Sequence, residues 1–221
     1  MSRWGAERGL VLETARNLVE KGLVIGKAGN VSARLAPEGR RSLLAITPTS
    51  RYYDSLTPDD IPVIDFQGKP VEGSLPPSSE LALHIGVYRA RPTVNAVIHT
   101  HSPYATVVAV AGLEIPPITE DQVVFLGGEV KLARYAPSGT DELAANAIEA
   151  LGERNAVLLA GHGAVGVGRS PREALTVCEL LEKTAMVYVY TMTLGKANPL
   201  SIAAVTAAQA AFARLRQSPD L

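Results

Sequence analysis

Apolar positions recur at helical spacing in some stretches of the chain and at strand spacing in others, and the two kinds of stretch are interleaved. From about Glu7 to Lys21, the positions Leu10, Val11, Thr14, Leu18 and Val19 share one helical stripe that Gly22 stops. Val31 to Leu35 alternates in the manner of a strand, and Ser42 to Thr47 reads as another strand. Thr47-Pro48-Thr49-Ser50 is a polar turn, and Pro62 to Phe66 is a short strand closed by Gln67-Gly68. Pro76-Pro77-Ser78-Ser79 should open a helix running to about Arg89, with Pro92 just past its end and Glu80 in its first turn. Asn95 to His101 is a β-branched run suited to a buried strand, and Ser102-Pro103 has the chemistry of a helix start.

The second half continues the alternation. Lys131 to Tyr135 reads as a strand, and Thr140 with Asp141 and Glu142 starts a helix that Gly152 ends. Ala156 to Ala160 and Ala164 to Val167 are apolar strands joined at Gly161-His162-Gly163. Ser170-Pro171-Arg172-Glu173 is a capping box opening a helix that extends to Leu194, and Asn198-Pro199 opens a last, alanine-rich helix. The fold class is therefore α/β or α+β, with a sheet covered by helices. The link between the strands at 156–160 and 164–167 is too tight for a parallel crossover, so part of the sheet must be antiparallel.

Composition narrows the setting. With 221 residues, 47% of them hydrophobic, one core and a single domain over 1–221 are expected. A net charge of −1 provides no field for nucleic acid or an anionic membrane surface, and no apolar run suits a signal peptide or a membrane span. The lone cysteine, Cys178, rules out an intrachain disulfide framework; it reads as a small core residue and fits a reducing, cytoplasmic location.

The four histidines carry the strongest chemical signal. His99 and His101, two apart on a strand, point to one face, and His162 stands between two glycines at a turn where backbone can approach closely. Separately, these could be hydrogen-bonded strand-end and turn residues. Three of the four so placed favour a metal site, and three imidazoles with an open position is the arrangement of a catalytic zinc. Manganese, cobalt or iron would also accept imidazole ligands. His84, four residues after Glu80 on the same helix, could steer that carboxylate, although packing or exposure is the plainer reading. Glu80 itself, after Ser78 and Ser79, is either a helix cap or a carboxylate beside an anion seat. Lys27-Ala28-Gly29-Asn30 and Thr49-Ser50 offer further polar loop groups.

Taken in order, Gly29-Asn30-Val31-Ser32, Ile46-Thr47-Pro48-Thr49, Pro77-Ser78-Ser79-Glu80, Val97-Ile98-His99-Thr100-His101 and Gly161-His162-Gly163 resemble the class II aldolase/adducin family, nearest its L-fuculose-1-phosphate aldolase branch. The resemblance spans nearly the whole chain. It implies a single-domain, three-layer α-β-α sandwich with a mainly antiparallel central sheet, and a homotetramer with active sites between subunits. It implies His99, His101 and His162 as metal ligands and Glu80 as the catalytic acid/base. Asn30, Thr49, Ser50, Ser78 and Ser79 would hold a substrate phosphate, with Ser50 replacing a glycine of that branch. The expected reaction is metal-dependent cleavage of a phosphorylated ketose to dihydroxyacetone phosphate and an aldehyde.

One departure stands out. That branch uses a tyrosine from a neighbouring subunit as a further acid, whereas the matching stretch here is Thr119-Glu120-Asp121-Gln122; Glu120 or Asp121 would have to substitute. Within the same architecture, a 4-epimerase would carry aspartate at position 80, and a sugar-phosphate dehydratase or a decarboxylase would share the metal site. A non-catalytic adducin-like module would lack the histidines.

Overall fold

A computed structural model describes residues 3–217 of the chain. Its elements are α1 (Gly5–Glu20), β1 (Asn30–Glu38), β2 (Arg41–Ile46), β3 (Val63–Asp65), β4 (Pro70–Glu72), α2 (Leu81–Ala90), β5 (Ala96–Thr100), α3 (Pro103–Val110), β6 (Leu132–Ala133), α4 (Asp141–Leu151), β7 (Ala156–Leu159), β8 (Gly163–Gly168), α5 (Pro171–Thr193) and α6 (Ile202–Gln217). Eight strands form one sheet in the order β4-β3-β2-β1-β5-β8-β7-β6. Every neighbouring pair is antiparallel except β6 with β7. The sheet is thus mainly antiparallel, as the tight β7–β8 turn requires.

Helices cover both faces. On one side, α1 and the first turns of α5 bury Val11, Leu12, Ala15, Ala174 and Cys178 against Val31, Ala33, Ala96 and Ile98. On the other, α2 and α4 bury Leu83, Val87, Leu143 and Ala147 against Val97, Val157 and Val165. Burying such side chains is worth roughly 1.5–3 kcal/mol each, so these two interfaces fix where the helices lie. Cys178 is buried and unpaired among them, as a small core residue. No helix among the described residues is long and apolar enough to cross a membrane.

Several boundaries differ from the sequence expectation. Beginning at Leu81 rather than at Ser79, α2 leaves Glu80 at its N-cap position and not in its first turn. Two backbone ties explain the delay: Ser78 N–H donates to the Thr47 carbonyl, and Pro48 and Pro77 form a bridge, so this segment is held extended against the β2 loop. The last helix starts at Ile202, after Ser201, whose hydroxyl accepts the Ala204 N–H; Asn198-Pro199 precedes it without capping it. The capping box of α5 is one-sided: Ser170 accepts from Glu173 N–H, but the Glu173 carboxylate takes the N–H and Nε of Arg169. In the 131–135 run only Leu132–Ala133 pairs, with β7. The strand Pro70–Glu72 and a short π-helical turn over Gln122–Leu126 carry no periodic signal long enough to read.

The alternation of β1 has an unexpected meaning. Its polar positions do not face water, because Ser32 is fully buried beneath α2 and Asn30 nearly so. They form a wall of the site.

Candidate active site

The site grows from the junction of β1, β5 and β8 with the start of α2. Antiparallel pairing sets Asn30 opposite His99 and Ser32 opposite Val97, so Asn30, Ser32 and His99 share the face that α2 covers. Directly before β1, Gly29 has φ +70°, and a Cβ there would come within 2.7 Å of the His99 carbonyl. Only glycine permits that close approach of the loop to the β5 end. The turn at Gly161-His162-Gly163 works likewise: a Cβ on Gly163 would lie 2.2 Å from the Thr100 carbonyl. This packing brings His162 against the histidines of β5.

The three imidazoles converge. The β5 strand stops at Thr100, one residue short of expectation, yet the His101 ring still turns back toward His99. Ring centroids are 4.7 Å apart for His99 and His101, 4.6 Å for His99 and His162, and 5.0 Å for His101 and His162. One nitrogen from each ring lies within 4.8 Å of the other two. His99 Nδ1 sits 3.0 Å from the Ala164 carbonyl, to which it donates; that fixes the tautomer and leaves Nε2 with a lone pair aimed into the cluster. Burial pushes His99 down to about 3 and lowers His101 as well, so both rings are neutral at neutral pH, the form in which an imidazole can bind a cation.

Glu80 completes the cluster. Its Oε2 lies 3.2 Å from His99 Nε2 and its Oε1 3.7 Å from His162 Nε2. The lone pair on His99 Nε2 and a carboxylate repel each other unless positive charge lies between them. This donor set therefore suits a divalent cation, with the three histidines as ligands and the carboxylate beside it. Burial pushes the Glu80 carboxyl upward, but positive charge at the His99–His162 cluster, whether a proton or a cation, and the hydrogen bonds from Asn30 and Ser138 outweigh it and hold the group below its ordinary value. Asn30 Nδ2 donates to Oε2 at 2.9 Å, and Ser138 Oγ donates to Oε1 at 3.0 Å.

A cavity of about 180 Å³ opens from this cluster. Asn30, Thr49, Ser50, Ser78 and Ser79 all line it, with Glu80, His101 and His162 at its inner end and Lys27 at its rim. Ser78 is buried and accepts the Glu80 N–H at 3.2 Å, whereas Ser79 is exposed. Ser50 has φ +56°, the one non-glycine residue with positive φ among those described. A larger cavity of about 310 Å³ between Arg91, Asn155, Arg169 and Arg216 holds no histidine, and its one carboxylate, Glu173, is engaged by Arg169.

Glu120 and Asp121 do not join the site within the chain. Asp121 pairs with Lys183 at 2.5 Å and accepts the Gln122 N–H, and Glu120 is exposed; neither lines the cavity. One residue was not visible in the sequence, and one was visible but weighed toward a different role. Ser138 lies in an irregular loop with no motif around it. His84, for which packing or exposure was the plainer expectation, is completely buried and hydrogen-bonded to Asn30.

Residues 10–189 match the family model described as class II aldolase and adducin N-terminal domain. The 5-deoxy-D-ribulose 1-phosphate aldolase of Bacillus thuringiensis serovar kurstaki is 36% identical over 190 residues, 86% of this chain and 87% of its own length. The L-fuculose phosphate aldolase of Escherichia coli K12 is 35% identical over 190 residues, 86% of each chain. A solved structure of an L-fuculose 1-phosphate aldolase superposes with a TM-score of 0.87 at 32% identity, covering 94% of this chain and 96% of the other.

Proposed function

The chain belongs to the class II aldolase and adducin N-terminal domain family and is a lyase, and from that premise we propose that it cleaves a ketose 1-phosphate into dihydroxyacetone phosphate and a short aldehyde. The observation that carries this reading is the convergence of His99, His101 and His162 beside the buried carboxylate of Glu80. A divalent ion, zinc by preference, would be held by the three imidazoles and would act as a Lewis acid toward the ketose carbonyl and its neighbouring hydroxyl.

The chain's own groups do the rest. Cleavage breaks the C3–C4 bond of the ketose: the C4 hydroxyl loses its proton, C4 leaves as the aldehyde, and the electron pair remains on C3 as an enediolate. Glu80, once it has taken up a proton from solvent, delivers it to C3, and in the reverse direction the carboxylate removes it; the proton lost from the C4 hydroxyl returns to solvent through the second base. Asn30 and Ser138 aim the carboxylate by holding both of its oxygens. Thr49, Ser50, Ser78 and Ser79 form the phosphate seat, with one proton of the Asn30 amide already committed to Glu80. The C4 hydroxyl needs a second base. Glu120, exposed on this chain, is assigned that role toward a neighbouring subunit of a homotetramer in the cytoplasm.

The two relatives differ in the aldehyde half. Cleaving 5-deoxyribulose 1-phosphate leaves acetaldehyde, and cleaving fuculose 1-phosphate leaves lactaldehyde. Metal-loaded protein is incubated with dihydroxyacetone phosphate in heavy water and then with each aldehyde. The expected result is stereospecific exchange of one carbon-bound proton, dependent on the metal and reduced roughly 10²–10⁴-fold by Glu80→Gln. Absence of exchange in the metal-loaded enzyme would overturn the aldolase reading.

A further inference from the structure

We propose that His84 is a positioning residue for Glu80 and acts through Asn30, at the end of a buried chain of hydrogen-bond donors that starts at Tyr88. The idea rests on the reading of Glu80 as the acid/base; the hydrogen-bond chain itself does not.

Every donor direction in the chain is determined by elimination. A carboxylate only accepts, so the Asn30 group facing Glu80 Oε2 at 2.9 Å is its NH2, and Oδ1 points the other way. Oδ1 only accepts, so His84 Nε2, which contacts it, carries the ring proton. Burial lowers His84 to about 4, which makes the ring neutral at neutral pH, and Nδ1 is then an acceptor. Ser32 Oγ donates to that Nδ1 at 2.6 Å and, its proton spent, accepts from the Tyr88 hydroxyl at 2.7 Å. Four polar groups thus point their protons toward one carboxylate, and Ser32, His84 and Tyr88 among them are sealed from water.

The placement follows from matching repeats. Glu80 caps α2, with His84 and Tyr88 following at four-residue intervals, and Asn30 and Ser32 are two apart on β1 beneath it. Four helical residues advance about 6 Å, and two strand residues advance about 6.6 Å. Helix and strand stay in step over this stretch. A purely packing role for His84 would need neither nitrogen, yet both are engaged, and a fully buried imidazole is costly without partners. The His84 N–H holds the Asn30 oxygen from the side away from Glu80, so the amide keeps its NH2 on the carboxyl group even when that group takes up a proton and no longer repels an oxygen.

Two near-isosteric variants separate the readings. His84→Gln keeps an amide N–H at the Nε2 position, within reach of Asn30; His84→Asn keeps only the Nδ1 position, toward Ser32. The expected outcome is a fall in kcat for proton exchange on dihydroxyacetone phosphate of roughly tenfold or more in H84N, with KM and bound metal unchanged, and substantial recovery in H84Q. Nitrogen NMR of the wild-type enzyme should show His84 protonated on Nε2, with slowly exchanging Asn30 side-chain amide protons that become fast in H84N. Should H84N fail to fold, the ring-nitrogen reading on the wild-type enzyme carries the test by itself, since it needs no variant. Equal kcat in the asparagine and glutamine variants, or a ring protonated on Nδ1 in the wild type, overturns the proposal. Since the NMR readings need no turnover, they decide the positioning role even if the enzyme proves inactive on dihydroxyacetone phosphate.

Discussion

The inner wall of the site and its mouth are made from similar polar residues under opposite conditions. Around Glu80, the side chains of Asn30, Ser32 and His84 are buried and each has a defined partner. At the mouth, Lys27, Ser50 and Ser79 are exposed; Lys27 lies over the Tyr52 ring at 4.7 Å, and the Thr49 and Ser50 hydroxyls are a loose 3.5 Å apart. A hydrogen bond to a charged group in the dry interior is worth more than one that competes with water. The wall is therefore suited to fixing one carboxylate in one orientation, and the mouth to receiving a ligand that brings its own charge.

The sharpest way to break this contrast is to remove one of the three proposed metal ligands. His101→Ala should weaken zinc binding by at least about 100-fold, since changes one shell further out already cost about 10–100-fold. Exchange activity should disappear with the metal, as measured by competition with a chromophoric chelator. Retained stoichiometric zinc in that variant would sink the three-imidazole site.

Acid should strike the wall next. His84 is neutral in the fold, its ordinary value of 6.5 being lowered to about 4 by burial. The unfolded chain takes up this proton below its ordinary value and the native chain does not, so stability falls as pH falls from 6.5 toward about 4. The loss from this one group is roughly 3 kcal/mol at the acid end of that window. His99, lowered to about 3, and the depressed carboxyl of Glu80 add losses in the same direction. Urea titrations of the metal-free protein across this window should show a steady fall in unfolding free energy, and a flat profile would contradict the buried, neutral assignment.

A smaller effect is expected where wall and mouth meet. Ser138 donates to Glu80 Oε1 from an exposed loop, so Ser138→Ala should lower kcat roughly five- to tenfold while leaving metal binding intact. No change in kcat would mean that Asn30 alone orients the carboxylate.

Smallest of all, Ser50→Gly at the mouth should stabilise the fold by about 1 kcal/mol, because a side chain at φ +56° carries a steric cost that glycine does not. Thermal unfolding checks this, and the accompanying change in KM for a phosphorylated ligand measures what the Ser50 hydroxyl contributes to the seat.

Much of the site was legible because its parts announce themselves locally. His99 and His101 share a strand face by the two-residue repeat, and glycines on either side mark His162 as a place of close approach. The misjudged parts needed a neighbour. Ser32 reads as the polar position of an alternating strand, and only the arrival of α2 above β1 makes it a buried donor. His84 looks unremarkable on its helix until Asn30 and Ser32 are set beneath it. Ser138 sits in a loop whose path is dictated by α4 and the Glu80 segment together, so nothing within a few residues of it signals its role.

By itself, the order of residues determined the interleaved helices and strands, the antiparallel joining of β7 and β8, and which side chains had the chemistry to bind a cation and move a proton. These depend on periods and spacings along a few consecutive residues. Tertiary structure alone decided which of those groups meet, and that a serine and a histidine far apart in the chain lie behind the carboxylate of Glu80. Such contacts depend on how a helix settles on a sheet, and that is set by the apolar surface buried between them rather than by any local run of sequence.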